Sequence, residues 1–318
     1  MKIWQSTLVA LGLLALVTIV AQSGNSSDAF EQWKTQFGFQ FTPKEETYRR
    51  MVFMKNLADI EKHNAEGKHT WTLGVNQFTH LTAVEFESMF LNRFYATEPK
   101  SEAKVVKQEE PMTGPLTEVD WEALGKVTPV ENQGKCDAGY AFCSASLIES
   151  FYLFQSRSVS LSKQQILDCS ENYTTFGCEG GSRAGTLKFI QEKGLTTQAN
   201  YPWKGVKGQC AKQTGEYIPK YTDVIHNGCY EIQNGLSAAP MTVAVNAKTW
   251  QSYRSGVYNG CEAIPDVNHD IYLVGVSNTY WRLKNSWGTT WGEYGYIRIK
   301  TGNTCGICEK PGFTFKKP

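Results

Sequence analysis

The 318-residue chain carries almost no charge bias: 32 lysines and arginines stand against 31 aspartates and glutamates, a formal net charge of +1. So even a balance gives no electrostatic reason to expect nucleic acid or an anionic membrane as partner. Long apolar runs are equally scarce. There is one, Leu8 to Val20 behind Lys2, and no later stretch approaches the ~20 apolar residues that a membrane span needs. Internal repeats and low-complexity tracts are missing, which excludes a solenoid and a biased, unfolded tail.

What is present points to export. The Leu8–Val20 run is short and ends at Ala21-Gln22-Ser23, a small-x-small cleavage site, so residues 1–23 read as a secretory signal. Nine cysteines suit an oxidising compartment, and their odd number leaves at least one thiol over. With 41% hydrophobic residues, the chain is long enough for a large core or two lobes.

Periodicity then divides the chain. Residues 28–37 read as a short amphipathic helix, and a longer one spans about 44–64 behind Thr42 and Pro43. On that helix Glu45, Arg49, Phe53, Asn56, Ile60 and Asn64 recur at spacings of three and four and share one stripe. Residues 96–115, rich in Pro, Lys and Glu without period, form a linker. A helix is expected from Tyr140 to about Gln155. Ser162-Lys-Gln-Gln165 reads as a capping box, and another helix lies between Ser182 and Gly194. The second half changes to strands, over 242–247, 271–276, 280–285 and 295–300.

Several of these segments resemble one family. The six-residue stripe matches the ERFNIN pattern of the inhibitory propeptide in cathepsin-L-like enzymes. Gly74-Val-Asn76-Gln-Phe78-Thr-His80 resembles that propeptide's second motif, with His80 where the family carries a carboxylate associated with acid-triggered release. Cys136-Asp-Ala138-Gly139-Tyr140 resembles the nucleophile segment of the papain family, Cys-Gly-(Ser/Ala)-Cys-(Trp/Tyr). The resemblance implies an α+β, two-lobe papain-like fold: a helical lobe, a β-barrel-like lobe and an α-helical propeptide domain. The expected division is signal 1–23, propeptide 24–95, processing linker 96–115 and papain-like domain 116–318.

By the same resemblance His269 is the catalytic histidine, Asn285 the group that orients it, and Gln133 the oxyanion-hole side chain. Trp287 shields the His–Asn hydrogen bond and lines the cleft, and Gly180 and Gly181 bind substrate backbone. His269 and Asn285 lie within the roughly 130–150 residues beyond residue 139 that the family's spacing requires. The nucleophile position, however, is Gly139. A serine protease that loses its nucleophile loses on the order of 10⁶-fold in kcat, and a comparable loss is expected here. Cys143 lies one turn on, about 6 Å along the helix at 1.5 Å per residue, and is expected to point into packed interior. The emptied position should be either an anion-friendly pocket at a helix N-terminus or a solvated vacancy. Asp137 and Asp270 depart from the family pattern and are expected to restrain His269 or repel acidic ligands.

The family's disulfides would be Cys136–Cys178, Cys169–Cys210 and Cys261–Cys305, leaving Cys143, Cys229 and Cys308, the last two either paired or free. Asn25 and Asn172 head glycosylation sequons, Asn25 the poorer because it adjoins the cleavage site. No cofactor or metal is implied. The leading expectation is a monomeric, secreted or lysosome- or vacuole-routed homologue that does not hydrolyse peptides. Its partners would be its own propeptide and a peptide or protein held in the cleft. The alternatives are a working cysteine endopeptidase using Cys143, and a storage or structural protein with a vestigial cleft.

Overall fold

The computed structural model describes residues 26–91, 118–212, 214–218, 222–225, 227–261 and 266–316. The signal, the linker and Asn25 lie outside them. The N-terminal unit comprises α1 (Ser26–Phe37), α2 (Pro43–Glu66), β1 (Trp71–Leu73) and α3 (Ala83–Phe90). Thr42 caps α2, its hydroxyl accepting from the Glu45 amide, Pro43 opens the helix, and Gly67 closes it in the left-handed region. Phe30, Trp33, Phe53 and Leu57 form a small core where α1 crosses α2.

The residues of the α2 stripe are engaged by ion pair, hydrogen bond or burial. Arg49 pairs with Glu45 (3.4 Å) and Glu85 (2.8 Å). Phe53 and Ile60 are buried. Asn56 Nδ2 donates to the carbonyls of Thr79 and Leu81, both at 2.8 Å. Asn64 exchanges two hydrogen bonds with the backbone of Leu73. The stripe is thus the surface on which the segment after α2 folds back, and that segment docks on the second domain. There β1 pairs antiparallel with β5 (Tyr253–Tyr258). Gln251 Nε2 donates to the carbonyls of Phe78 and Leu81, and Asn76 Nδ2 returns a bond to the Gln251 carbonyl.

The second domain begins with β2 (Val119–Asp120) and the helices α4 (Gly139–Phe154), α5 (Lys163–Cys169) and α6 (Arg183–Lys193). It continues through β3 (Thr222–Ile225), α7 (Cys229–Ala238), β4 (Met241–Val245), β5, β6 (His269–Val276), β7 (Tyr280–Lys284), β8 (Tyr296–Lys300) and β9 (Gly312–Phe315). Together with β1 the strands make one nine-stranded sheet ordered β1-β5-β8-β7-β6-β4-β9-β3, with β2 paired on β6. Among the described strand pairs only β5–β8 is parallel. Every residue of α4 from Gly139 to Tyr152 is buried, so this span presents no face to solvent. It is wedged between the sheet, chiefly β6, and α6, which explains the small residues Gly139, Ala141, Ser144 and Ala145 along its first turns.

The expected helices and strands are present, with β4 and β6 beginning one and two residues earlier than expected. One local expectation needs correction. Ser162 Oγ caps α5 by accepting from the Gln165 amide (2.9 Å), but no reciprocal bond completes a capping box. The Gln165 side chain turns to Thr196 N and Gly194 O, and Ser162 N donates to the Thr196 carbonyl.

Candidate active site

Two elements meet at the site: the first turn of α4 and the first residues of β6. His269 opens β6 and is wholly buried. Its Nε2 lies 2.9 Å from Asn285 Oδ1. That oxygen can only accept, so Nε2 carries the proton and Nδ1 is left with the lone pair. The Trp287 ring stands 4.8 Å from the imidazole and covers this bond. Phe78 and Phe86 of the N-terminal unit close over Trp287 edge-on at 5.6 and 5.3 Å, and Gln77 Nε2 donates to the Trp287 carbonyl (2.7 Å). Burial lowers the His269 pKa to about 4 against the supporting bond from Asn285, so the ring is neutral at ordinary pH.

His269 Nδ1 has no hydrogen-bond partner, and it faces Gly139. A β-carbon built on Gly139 would lie 3.3 Å from Nδ1, 3.2 Å from Cε1 and 2.8 Å from the backbone oxygen of Asp270. The last distance is shorter than real β-carbons tolerate, and the obstacle is backbone that cannot swing away. The Asp270 carbonyl crowds that position, an approach that glycine, without a β-carbon, allows.

The expected restraint of His269 by the new acidic groups also needs correction. Asp270 does not face His269: its carboxylate accepts from Arg183 Nε at 2.7 Å, and the His269 shift has no acidic contribution. Asp137 is buried behind the Cys136–Cys178 bridge, its amide donating to the Cys178 carbonyl (3.2 Å).

Gln133 is fully buried beside the site. Its Nε2 donates to the Cys136 carbonyl (2.9 Å) and its Oε1 accepts from Ser286 Oγ (2.5 Å). Gly180 and Gly181 are buried in the loop ahead of α6, where the Gly180 carbonyl accepts from Phe176 N (2.9 Å) and Gly181 bridges to Thr175. The sequence thus brought Gly139, His269, Asn285, Gln133 and Trp287 into one neighbourhood. It missed Arg183, whose one signal was a cation directly after the helix cap Ser182.

Cys143 is 3% exposed, and its thiol donates to the Tyr140 carbonyl (3.5 Å). Burial, then the nearby Asp270 carboxylate, raises its pKa well above that of an ordinary thiol. The other eight cysteines pair as Cys136–Cys178, Cys169–Cys210, Cys261–Cys305 and Cys229–Cys308, which settles the pair left open by the sequence. Asn172 is exposed on a short 3-10 turn. Among the described residues no group of His, Cys, Asp and Glu could hold a metal ion, and no helix is long and apolar enough to cross a membrane.

Comparison with known proteins places this arrangement. Residues 116–315 match the model of the papain family cysteine proteases, and residues 30–86 match the cathepsin propeptide inhibitor domain. The chain is 35% identical over 319 residues to a cathepsin L-like proteinase of Fasciola hepatica, covering 93% of this chain and 95% of the relative. Among solved structures it resembles a recombinant stem bromelain precursor (TM-score 0.79, 31% identity, 92% and 98% of the two chains). It also resembles procathepsin L 3 of the Tenebrio molitor larval midgut (TM-score 0.79, 27% identity, 92% and 100%). The chain belongs to the papain family of cysteine proteases and carries a cathepsin-type propeptide inhibitor domain ahead of the papain-like domain.

Proposed function

We propose that this papain-family chain does not hydrolyse peptides and acts instead by binding peptide or protein through its cleft, in the secretory pathway or a lysosome-like compartment. Covalent catalysis by a thiol protease needs a thiolate within roughly 2.6–3.2 Å of its base. The observation that carries the reading is Gly139. It stands beside His269 Nδ1, it has no side chain, and the Asp270 carbonyl comes within 2.8 Å of where one would begin. Among the described residues no side chain hydrogen-bonds Nδ1, so no thiol or hydroxyl there is poised to pass it a proton.

The alternative, a nucleophile displaced to Cys143, lacks support on two counts. The Cys143 thiol is spent on the Tyr140 carbonyl, and its burial favours the inert protonated form. The His269–Asn285 pair persists as a packed polar contact under Trp287. Thiol titration of the native chain tests the reading, with alkylated sites mapped by mass spectrometry. The expected result is no thiol that alkylates faster than an ordinary free cysteine at pH 6–7. A single rapidly labelled Cys143 would overturn it.

A further inference from the structure

Two disulfides meet in one short turn. In Thr304-Cys305-Gly306-Ile307-Cys308 the two cysteines stand at the C-x-x-C spacing of thiol–disulfide exchange centres. Neither pairs with the other: Cys305 is bridged to Cys261, and Cys308 to Cys229. The segment coils through overlapping turns, Gly306 N donating to the Asn303 carbonyl (3.2 Å) and Glu309 N to the Gly306 carbonyl (2.9 Å). Within it Cys305 takes a left-handed backbone (φ +58°), and the Asn246 amide donates to its carbonyl (2.7 Å). Asn303 Oδ1 accepts from the Cys308 amide (2.9 Å). A tight turn keeps residues three apart within about 7 Å at Cα, which is the reach of a disulfide. Exposure separates the two bridges. Cys305 and Cys308 are 0% exposed and Cys229 is 3%, whereas Cys261 is only partly buried. A thiol in solution therefore meets the Cys261–Cys305 bridge at Cys261 and finds the Cys229–Cys308 bridge covered.

We propose that Cys305 and Cys308 form a thiol–disulfide exchange centre through which a dithiol reductant opens both bridges by attacking one. The reductant's thiolate attacks Cys261 Sγ: a mixed disulfide forms there, the Cys261–Cys305 bond breaks, and Cys305 leaves as a thiolate. The Cys305 thiolate then attacks Cys308 Sγ. A Cys305–Cys308 bond forms, the Cys229–Cys308 bond breaks, and Cys229 leaves as a thiolate that takes a proton from solvent. The reductant's second thiol closes on the mixed disulfide, releases Cys261 as a thiol and departs as a cyclic disulfide. Two electrons pass from reductant to protein, so two bridges become one and two thiols appear. The internal step is favoured because attacker and target share one turn instead of meeting from solution. Its consequence falls beside the candidate site. Cys261 lies eight residues ahead of His269, so exchange unties the segment entering β6 from the turn at residue 305. It also unties the start of α7 from the segment before β9. The exchange proceeds alike whether the cleft binds peptide or cleaves it.

Graded dithiothreitol on the native full chain, quenched with excess N-ethylmaleimide and mapped by mass spectrometry under non-reducing conditions, tests the exchange. We expect a species with Cys229 and Cys261 alkylated and a Cys305–Cys308 disulfide, formed below the dithiol concentration that unfolds the chain. Alkylation of Cys261 and Cys305 with Cys229–Cys308 intact overturns the proposal. So does alkylation of Cys229 and Cys308 together without the short bridge, or survival of both bridges until the chain unfolds. The opening rate of the covered bridge is an independent readout. Cys261→Ser with Cys305→Ser removes the exposed bridge and the internal attacker, so Cys229–Cys308 should open about tenfold or more slowly than in wild type. Loss of a bridge loosens a fold and by itself speeds that opening, so slowing is no product of destabilisation. Equal or faster opening overturns the proposal. Should this variant not fold, the wild-type map decides alone.

Discussion

Arg49 Nη1 donates to the backbone carbonyl of His80 at 3.3 Å, while the His80 imidazole turns away from it into an aromatic box. Phe39, Trp33 and Phe41 stand 4.5, 4.9 and 5.8 Å from that ring, and Nδ1 has no partner. The position that carries a carboxylate in the resembling propeptides here holds a neutral, desolvated ring. The guanidinium keeps its contact through the backbone instead.

This arrangement predicts how acid acts on the propeptide. Burial, then the Arg49 charge, lowers the His80 pKa from 6.5 to about 4, with Lys135 adding to the effect and a hydrogen bond to the Gln77 backbone, then Glu85, opposing it. Between these values the unfolded chain binds a proton that the folded one refuses. Stability is therefore full above pH 6.5 and drains away as pH falls to about 4, by about 3 kcal/mol in all. His80→Phe, which keeps the ring and the backbone carbonyl, should flatten this part of the pH profile of Tm. An unchanged difference between pH 7 and pH 4 in the variant would show that His80 is not the sensitive group.

A second prediction concerns Asn56. Both of its donated hydrogen bonds go to backbone carbonyls of the segment that folds back over α2. Asn56→Ala leaves two acceptors without a donor and should cost about 1–3 kcal/mol, read as a lower urea midpoint for the full chain. A midpoint unchanged within error would mean that water replaces the amide at no cost.

The interior charges of the helical lobe form a third case. Lys163, fully buried, bridges Glu149 (2.7 Å) and Glu131 (2.5 Å). Burial alone would raise the Glu149 pKa, but Lys163 and Lys284 outweigh it and hold the carboxylate ionised. Lys163→Met should cost about 3–5 kcal/mol by leaving an unpaired buried carboxylate, and Lys163→Met with Glu149→Leu much less. Equal losses in single and double variants, measured by chemical denaturation, would contradict the pairing argument.

The Cys229–Cys308 bridge ties the start of α7 to the segment before β9 across a sequence separation of 79. Replacing both cysteines by serine should lower stability by about 2–4 kcal/mol without disturbing the other three bridges. Peptide mapping under non-reducing conditions checks both the pairing and its independence.

Much of this molecule was legible in its residues. The α2 stripe could be read because all six positions face one surface. Gly139, His269 and Asn285 could be read because a motif and two spacings coincide. What stayed hidden depends on long-range partners. β1 and β5 are short strands that pair across domains, and neither alternates clearly by itself. The helix α3 did carry a signal, the Thr82–Glu85 capping box, now seen with both reciprocal bonds. The Arg183–Asp270 pair was invisible because a charge in a sequence does not name its counterion. Asp270 therefore looked like a group acting on His269, its neighbour in the chain, rather than on a cation from another helix.

The most direct test of the central claim is endopeptidase activity on a peptide panel across pH 4–8, using wild-type protein freed of residues up to about 116, with and without a thiol alkylator. The account predicts no alkylator-sensitive cleavage at any pH, because no thiol reaches His269 Nδ1. Cleavage that an alkylator abolishes, and that Cys143→Ala removes, would contradict it and make Cys143 the nucleophile.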